Sequence, residues 1–214
     1  GKTMENENKI DNKVMFNLGY GLYLATCFDG NKHNGTICNS VMQATSDPQQ
    51  LVVILNKNGY GCQTILKTKK LNICPLTEKT PFSVFQQFGF KSGKDTNKFE
   101  NITFDGKNAS ISENGLAVLN SYANSYISLE VTETNDLGTH ILFVCKVTEA
   151  VSLNTENTIS YNYYQQNVKP KAVPAAKKKF VCRICGYVYE GENLPADFVC
   201  PWCGHDATFF EQVG

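Results

Sequence analysis

Short apolar runs separated by Gly, Asn, Asp and Pro dominate the chain as far as residue 165. Gly19 to Phe28 alternates roughly, with β-branched or aromatic residues at several positions. Leu51 to Leu55, Leu71 to Cys74, Leu116 to Leu119, Tyr126 to Thr132 and Ile141 to Thr148 are further runs of strand length. Six or more short strands divided by turn chemistry predict a mainly β domain closed into a barrel. Two stretches carry a helical period instead. One runs from Gly61 through Lys70, with Ile65 and Leu66 as its apolar pair. The other starts at Pro81 (P-F-S-V-F-Q-Q-F-G-F) and sets Phe82, Phe85 and Phe88 three residues apart, with proline at the helix start. That phenylalanine stripe reads as core or dimer packing rather than a cofactor stack. No apolar run approaches the roughly 18–20 residues of a membrane-spanning helix, so no membrane partner is expected.

The pattern changes after residue 165. Residues 166–179, Q-N-V-K-P-K-A-V-P-A-A-K-K-K, hold five lysines, two prolines and no acid. Such a segment is a linker, extended by its prolines and solvated by its charge. At about 3.1 Å per residue it reaches on the order of 40 Å. Boundaries follow: a polar tail at 1–11, a β domain at 12–165, the linker at 166–179 and a small module at 180–214. Lysine and arginine balance aspartate and glutamate at 20 each, but unevenly. The module sets Glu190, Glu192, Asp197, Asp206 and Glu211 against Arg183 alone, so it is acidic and suits a charged redox partner. No basic face or aromatic platform accompanies the lysines, which argues against a nucleic-acid partner.

The module also carries the strongest chemical motif. Cys182 and Cys185, then Cys200 and Cys203, form two C-x-x-C pairs with fourteen residues between them, each followed by glycine, Gly186 or Gly204. Two such knuckles present four thiolates to one ion, and glycine permits the turn beneath. Four sulfurs suit either iron or zinc. A chain of about 35 residues lies below the size that supports its own core, so metal supplies the folding energy. The remaining five of nine cysteines (Cys27, Cys38, Cys62, Cys74, Cys145) are scattered and odd in number. That argues against a disulfide framework and, with a polar N-terminus lacking a secretory stretch, for a cytoplasmic location.

C-G-Y-V-Y-E-G after the first knuckle and C-P-W-C-G at the second resemble a rubredoxin, the one-iron electron carrier. The short interval is similar to the abbreviated rubredoxin domains of rubrerythrins. Tyr187, Tyr189 and Pro201 match that pattern, whereas Trp202 replaces a small aliphatic residue and alters the shell around the metal. The alternative is a structural zinc ribbon of the same spacing.

A second resemblance covers residues 12–164. A strand ending A-T-C-F-D-G precedes N-G-T-I-C-N-S-V-M-Q-A-T-S-D-P, a small-residue loop at Asn34 to Pro48; then come L-V-V-I-L, N-K-N, a helix, F-G-F-K-S-G-K-D-T-N-K-F and G-T-H. This order resembles the flavin reductase-like family, an FMN-binding split β-barrel. The resemblance implies a homodimer, with FMN near the subunit interface and reduced by NADH or NADPH. It places Thr36, Cys38, Asn39 and Ser40 along the isoalloxazine edge, mainly through backbone, with Gln43 on the next strand. Asn56, Lys57, Tyr60 and Cys62, beside Gly61 and a helix N-terminus, fall at the phosphate. Ser92 and Lys98 approach the flavin or nicotinamide, and His140 stands beside the dinucleotide as a catalytic candidate. Joined to a rubredoxin module, the arrangement resembles the high-molecular-weight rubredoxins. It implies an NAD(P)H-dependent oxidoreductase that passes electrons through FMN and iron to a flavodiiron protein, which reduces dioxygen or nitric oxide. A reductase releasing free reduced flavin is the alternative within the family, and a flavin-fold binding protein with a zinc ribbon is the alternative without electron transfer.

Overall fold

The computed structural model describes residues 9–172 and 177–213. The chain divides into two compact units, Gly1–Pro170 and Lys171–Gly214.

The first unit is built on a seven-stranded antiparallel sheet. Its strands are β1 (Tyr23–Phe28), β2 (His33–Cys38), β3 (Ser40–Ser46), β4 (Gln49–Asn56), β5 (Lys70–Pro75), β8 (Ser125–Asp136) and β9 (His140–Ser152); a small hairpin pairs β6 (Ser110–Ile111) with β7 (Ala117–Val118). The order across the large sheet is β2-β1-β5-β8-β9-β4-β3. Its edge strands, β2 and β3, are consecutive in the chain with only Asn39 between them. The two edges therefore meet at Asn39 and the sheet curls into a barrel, split elsewhere along the same seam. Asn34 to Pro48 is accordingly not a loop. Thr36 pairs with Ala25 and Ser40 with Ile54, so both halves are strands. The segment forms both sheet edges; β3 is largely exposed, whereas β2 is covered and Lys98 occupies the Gly35 carbonyl.

Period-2 alternation divides the side chains between two cores. Ala25, Cys27, Leu71, Ile73, Val53 and Phe143 fill the barrel together with Cys62 and Ile65 of helix α1 (Tyr60–Thr68). On the other face of β1 and β5, Leu24, Cys74 and Leu76 pack with Phe85 and Phe88 of α2 (Phe82–Gly89). The phenylalanine stripe is thus core, with Pro81 at the N-cap as its fixed φ favours. A short turn of helix, α3 (Tyr161–Tyr163), continues as a π turn over Tyr164–Val168 and buries Tyr164 in the same core. Residues 166–168 therefore lie in that turn. The other end of the lysine-rich stretch, Lys178, opens a strand, and residues 173–176 of it lie outside the described residues.

The second unit is a three-stranded sheet of order β11-β10-β12, from β10 (Lys178–Cys182), β11 (Val188–Gly191) and β12 (Phe210–Val213). Phe198 packs against Tyr187, Tyr189 and Phe210 to make its small aromatic core.

Candidate functional site

In the first unit, two separated segments converge on one buried residue of β2, Asn34. Gly61, in the first turn of α1, lies so close that a Cβ there would stand 3.2 Å from Asn34 Nδ2 and 3.4 Å from Thr36 Cγ2. Gly93 lies closer still, since its Cβ would meet Asn34 Oδ1 at 2.1 Å. Glycine is required at 93 because the backbone of that loop rests on the amide. Asn34 is 2% exposed, and its Oδ1 is a buried acceptor without a hydrogen-bond partner. An orphaned amide oxygen beside two glycines marks a place built for polar company.

Helix α1 supplies the donors. Its N-cap is Gly59, which offers no side-chain cap, and the first amide to find a carbonyl of the helix is that of Gln63, 3.1 Å from Gly59 O. The amides of Tyr60, Gly61 and Cys62 are left without an acceptor inside the helix, which makes its N-terminus receptive to an anion. Lys57 stands in the preceding turn and is paired with Asp136 at 2.5 Å. Asn56 spends its Oδ1 on the amide of Asn58 at 3.0 Å. Tyr60 donates its hydroxyl to Asp29 Oδ2 at 2.6 Å. That bond, reinforced by the amides of Lys32 and Asn31, holds the Asp29 carboxyl below its ordinary range.

The other expected residues take varied positions. Thr36, Asn39 and Ser40 are half-buried, with Ser40 Oγ donating to Asn39 Oδ1 at 3.0 Å. Asn39 and Ser40 border a groove whose walls include Tyr20, Tyr23, Met42 and Ile54. Gln43 is exposed on β3 and donates to Thr45 O. Cys38 and Cys62 turn their thiols into the barrel core, where burial pushes them up to about 12 and about 11 respectively. They can serve a ligand through backbone alone. Ser92 turns its own loop, accepting from the Lys94 amide at 3.2 Å. His140 is exposed, pairs in register with Asn56 and shares a 2.8 Å hydrogen bond with Thr139 Oγ1, so it stands at the Lys57 end.

Lys98 departs most from expectation. It is 3% exposed, and its ammonium donates to Gly35 O at 2.8 Å and Phe88 O at 2.9 Å. Desolvation pushes it down to about 8. It fastens β2, the end of α2 and the 91–97 loop together beneath the site, with no nitrogen left facing out. Lys32 repeats the device from outside, donating to Lys94 O and Thr96 O. Asn34, Asp29 and Asp136 were not singled out from the sequence. Only the invitation of small residues at 61 and 93 hinted at the first.

In the second unit the four cysteines form a tetrathiolate cluster. Their sulfurs lie within 4.8 Å of one another, with Cys182···Cys203 at 3.7 Å and Cys185···Cys200 at 3.5 Å. A metal–sulfur bond of about 2.3 Å implies tetrahedral edges of about 3.8 Å, so the set fits one ion. The knuckles repeat each other. Amides of Ile184 and Cys185 bond to the Cys182 sulfur and that of Tyr187 to Cys185; amides of Trp202 and Cys203 bond to Cys200 and that of His205 to Cys203. Gly186 and Gly204, at φ of +78° and +73°, make both turns possible. A further contact breaks this symmetry: His205 Nδ1 lies 3.3 Å from Cys203 Sγ, with its ring edge-on to Phe209. Trp202 is 71% exposed at the cluster, packed edge-on to Tyr187.

A barrel with an anion-ready helix end, joined to a tetrathiolate knuckle, defines a class of redox protein. The chain belongs to the flavin reductase-like domain family, matched over residues 15–172, and carries a rubrerythrin-type rubredoxin-like domain at residues 180–211. By that membership it is an oxidoreductase. It is 34% identical to a high molecular weight rubredoxin of Moorella thermoacetica, over 95% of this chain and all of the relative. It is 28% identical to an NAD(P)H ferric-chelate reductase of Archaeoglobus fulgidus, over 80% of this chain and 98% of that protein. Among solved structures, a Streptomyces globisporus NADH:FAD oxidoreductase in complex with NAD and FAD fragments shares the fold at a TM-score of 0.62. That match covers 81% of this chain and all of the other at 14% identity. Among the described residues no helix is long and apolar enough to cross a membrane.

Proposed function

We propose that this protein takes electrons from NADH or NADPH onto FMN and passes them through a one-iron tetrathiolate site to a protein acceptor, such as a flavodiiron oxygen or nitric oxide reductase. It would do so as a cytoplasmic homodimer. The observation that carries this reading is the pairing, in one chain, of the α1 N-terminus packed on Asn34 and Thr36 with the four-sulfur cluster.

The residues divide the work. The amides of Tyr60, Gly61 and Cys62, with Lys57, would hold a terminal phosphate; one helix end and one lysine suit FMN better than the longer pyrophosphate of FAD. The groove beside Asn39 and Ser40 offers apolar walls and a polar edge to a planar ring. Thr36 to Asn39 is about 10 Å of extended chain, a span that a ribityl phosphate covers. A bound flavin supplies the conversion of one two-electron delivery into single-electron steps, which a one-iron site requires. Asn34, Gly93 and Lys98 keep the 91–97 loop against this site, where Ser92 can reach a ligand. His140, at the Lys57 end, meets the dinucleotide or phosphate rather than the ring. The relatives' names, one using NAD(P)H and one NADH, support the donor class.

The test is an anaerobic NADH titration of the purified protein, following flavin and ferric-thiolate absorbance together. Both bands should bleach. A colourless, zinc-loaded cluster, or iron left oxidised after complete flavin reduction, would refute the proposed electron path.

A further inference from the structure

We infer that Asp136 sets the affinity of the phosphate end: its carboxylate holds Lys57 and must give way to an incoming phosphate. The inference rests on the reading that the flavin phosphate sits at the N-terminus of α1. The turn between β8 and β9 grips Lys57 twice. Lys57 donates its backbone amide to Thr139 O at 3.0 Å, and its ammonium meets Asp136 Oδ2 at 2.5 Å. The other carboxylate oxygen, Oδ1, accepts from the Gly138 amide at 2.8 Å. Gly138 has a φ of +93°, which suits glycine and lets the turn close. Asp136 is thus fixed in place by its own turn, and the lysine is what it offers to release.

Charge makes the consequence specific. In the turn that leads into the helix Asn56, Asn58 and Gly59 are neutral, so Lys57 brings its positive charge and Asp136 cancels it; Asp29 and Lys32, of opposite charge, both sit at the Tyr60 side chain. A phosphate and a carboxylate ask for the same donors. Both side chains of the pair are about half exposed, at 40% and 52%, so water screens it and opening it is cheap. A dianionic phosphate, helped by the free amides of α1, can take the lysine over. The uncharged end of riboflavin gains nothing from that exchange. Asp136 therefore weakens the binding of phosphorylated flavin while leaving dephosphorylated flavin alone, which keeps the phosphate end exchangeable.

The full-length protein, stripped of flavin, would be titrated with FMN and with riboflavin while following quenching of flavin fluorescence. Asp136→Asn should tighten FMN by about two- to fivefold, the span expected of an exposed ion pair, and leave riboflavin unchanged. Asp136→Ser, which keeps an acceptor for the Gly138 amide, should do the same, and Asp136→Glu should stay near the wild-type ratio. Lys57→Met should weaken FMN alone. If neither neutral variant raises the FMN-to-riboflavin affinity ratio, Asp136 is only a latch for the turn and the inference fails. If Lys57→Met leaves that ratio untouched, the placement of the phosphate falls with it.

Discussion

Lys98 carries a buried positive charge under the site, compensated by two carbonyls and no carboxylate. Burial lowers its affinity for a proton from the usual 10.5 to about 8, so between those values the unfolded chain holds a proton that the folded chain has released. Stability contributed by Lys98 therefore rises as pH climbs from about 8 to about 10.5, by on the order of 3 kcal/mol. Lys98→Met removes that titration and strands Gly35 O and Phe88 O, which costs roughly 1–3 kcal/mol for each unsatisfied acceptor. Urea unfolding of both proteins at pH 7 to 10 checks this. A difference between them that stays flat across the range would show that Lys98 is not the charge it is taken for. The lysine in N-K-F was legible as important but not in its role, because a sequence does not say which polar residues are sealed in. The same holds for Cys38 and Cys62, whose thiols turned inward by the alternation of β2 and the inward face of α1.

Among elements, the knuckle module depends most on something outside its sequence. Its three strands span four or five residues each, and its aromatic core centres on Phe198. So small a core needs a metal to close it. Cys185→Ser or Cys200→Ser should abolish the visible iron bands and open residues 177–213 to limited proteolysis, while flavin content stays at the wild-type level. Loss of flavin from either mutant would mean that the barrel needs the module to fold. Helix α1 shows the opposite balance. Its span was readable from Ile65 and Leu66, yet Gly61 in its first turn acquires meaning only from Asn34 and Thr36 across the gap. Likewise the polar segment at Asn34 to Pro48 resolves into two strands because β1 and β4 offer it partners.

At the scale of the whole molecule the two units are joined by the chain between Val168 and Lys178. At about 3.1 Å per residue, Lys169 to Lys177 reaches on the order of 28 Å when extended. We expect this stretch to act as a tether along which the acidic module visits both flavin and acceptor. Deleting half of it should slow iron reduction while leaving reduction of flavin by NADH unchanged, as stopped-flow absorbance at the two chromophores would record. Lys177 and Lys178 to Glu should alter the salt dependence of the slowed step, since such attraction is screened over roughly 8 Å at physiological ionic strength. Rates indifferent to both changes would end the tether idea.

Local chemistry was enough to read the metal cluster, the strand-rich barrel, the two helices and the phenylalanine core. Each shows as a pattern among residues near in sequence: C-x-x-C-G turns, period-2 alternation, and a three-residue spacing on one helix. The meeting of the barrel's edges at Asn39, the convergence of residues 61 and 93 on Asn34, the burial of Lys98 and the grip of Asp136 on Lys57 depended on the tertiary structure. Gly61 stands 27 residues from Asn34, Lys98 63 from Gly35 and Asp136 79 from Lys57. Strand register brings them together, and no period along the chain encodes which polar groups register will bury, pair or leave open.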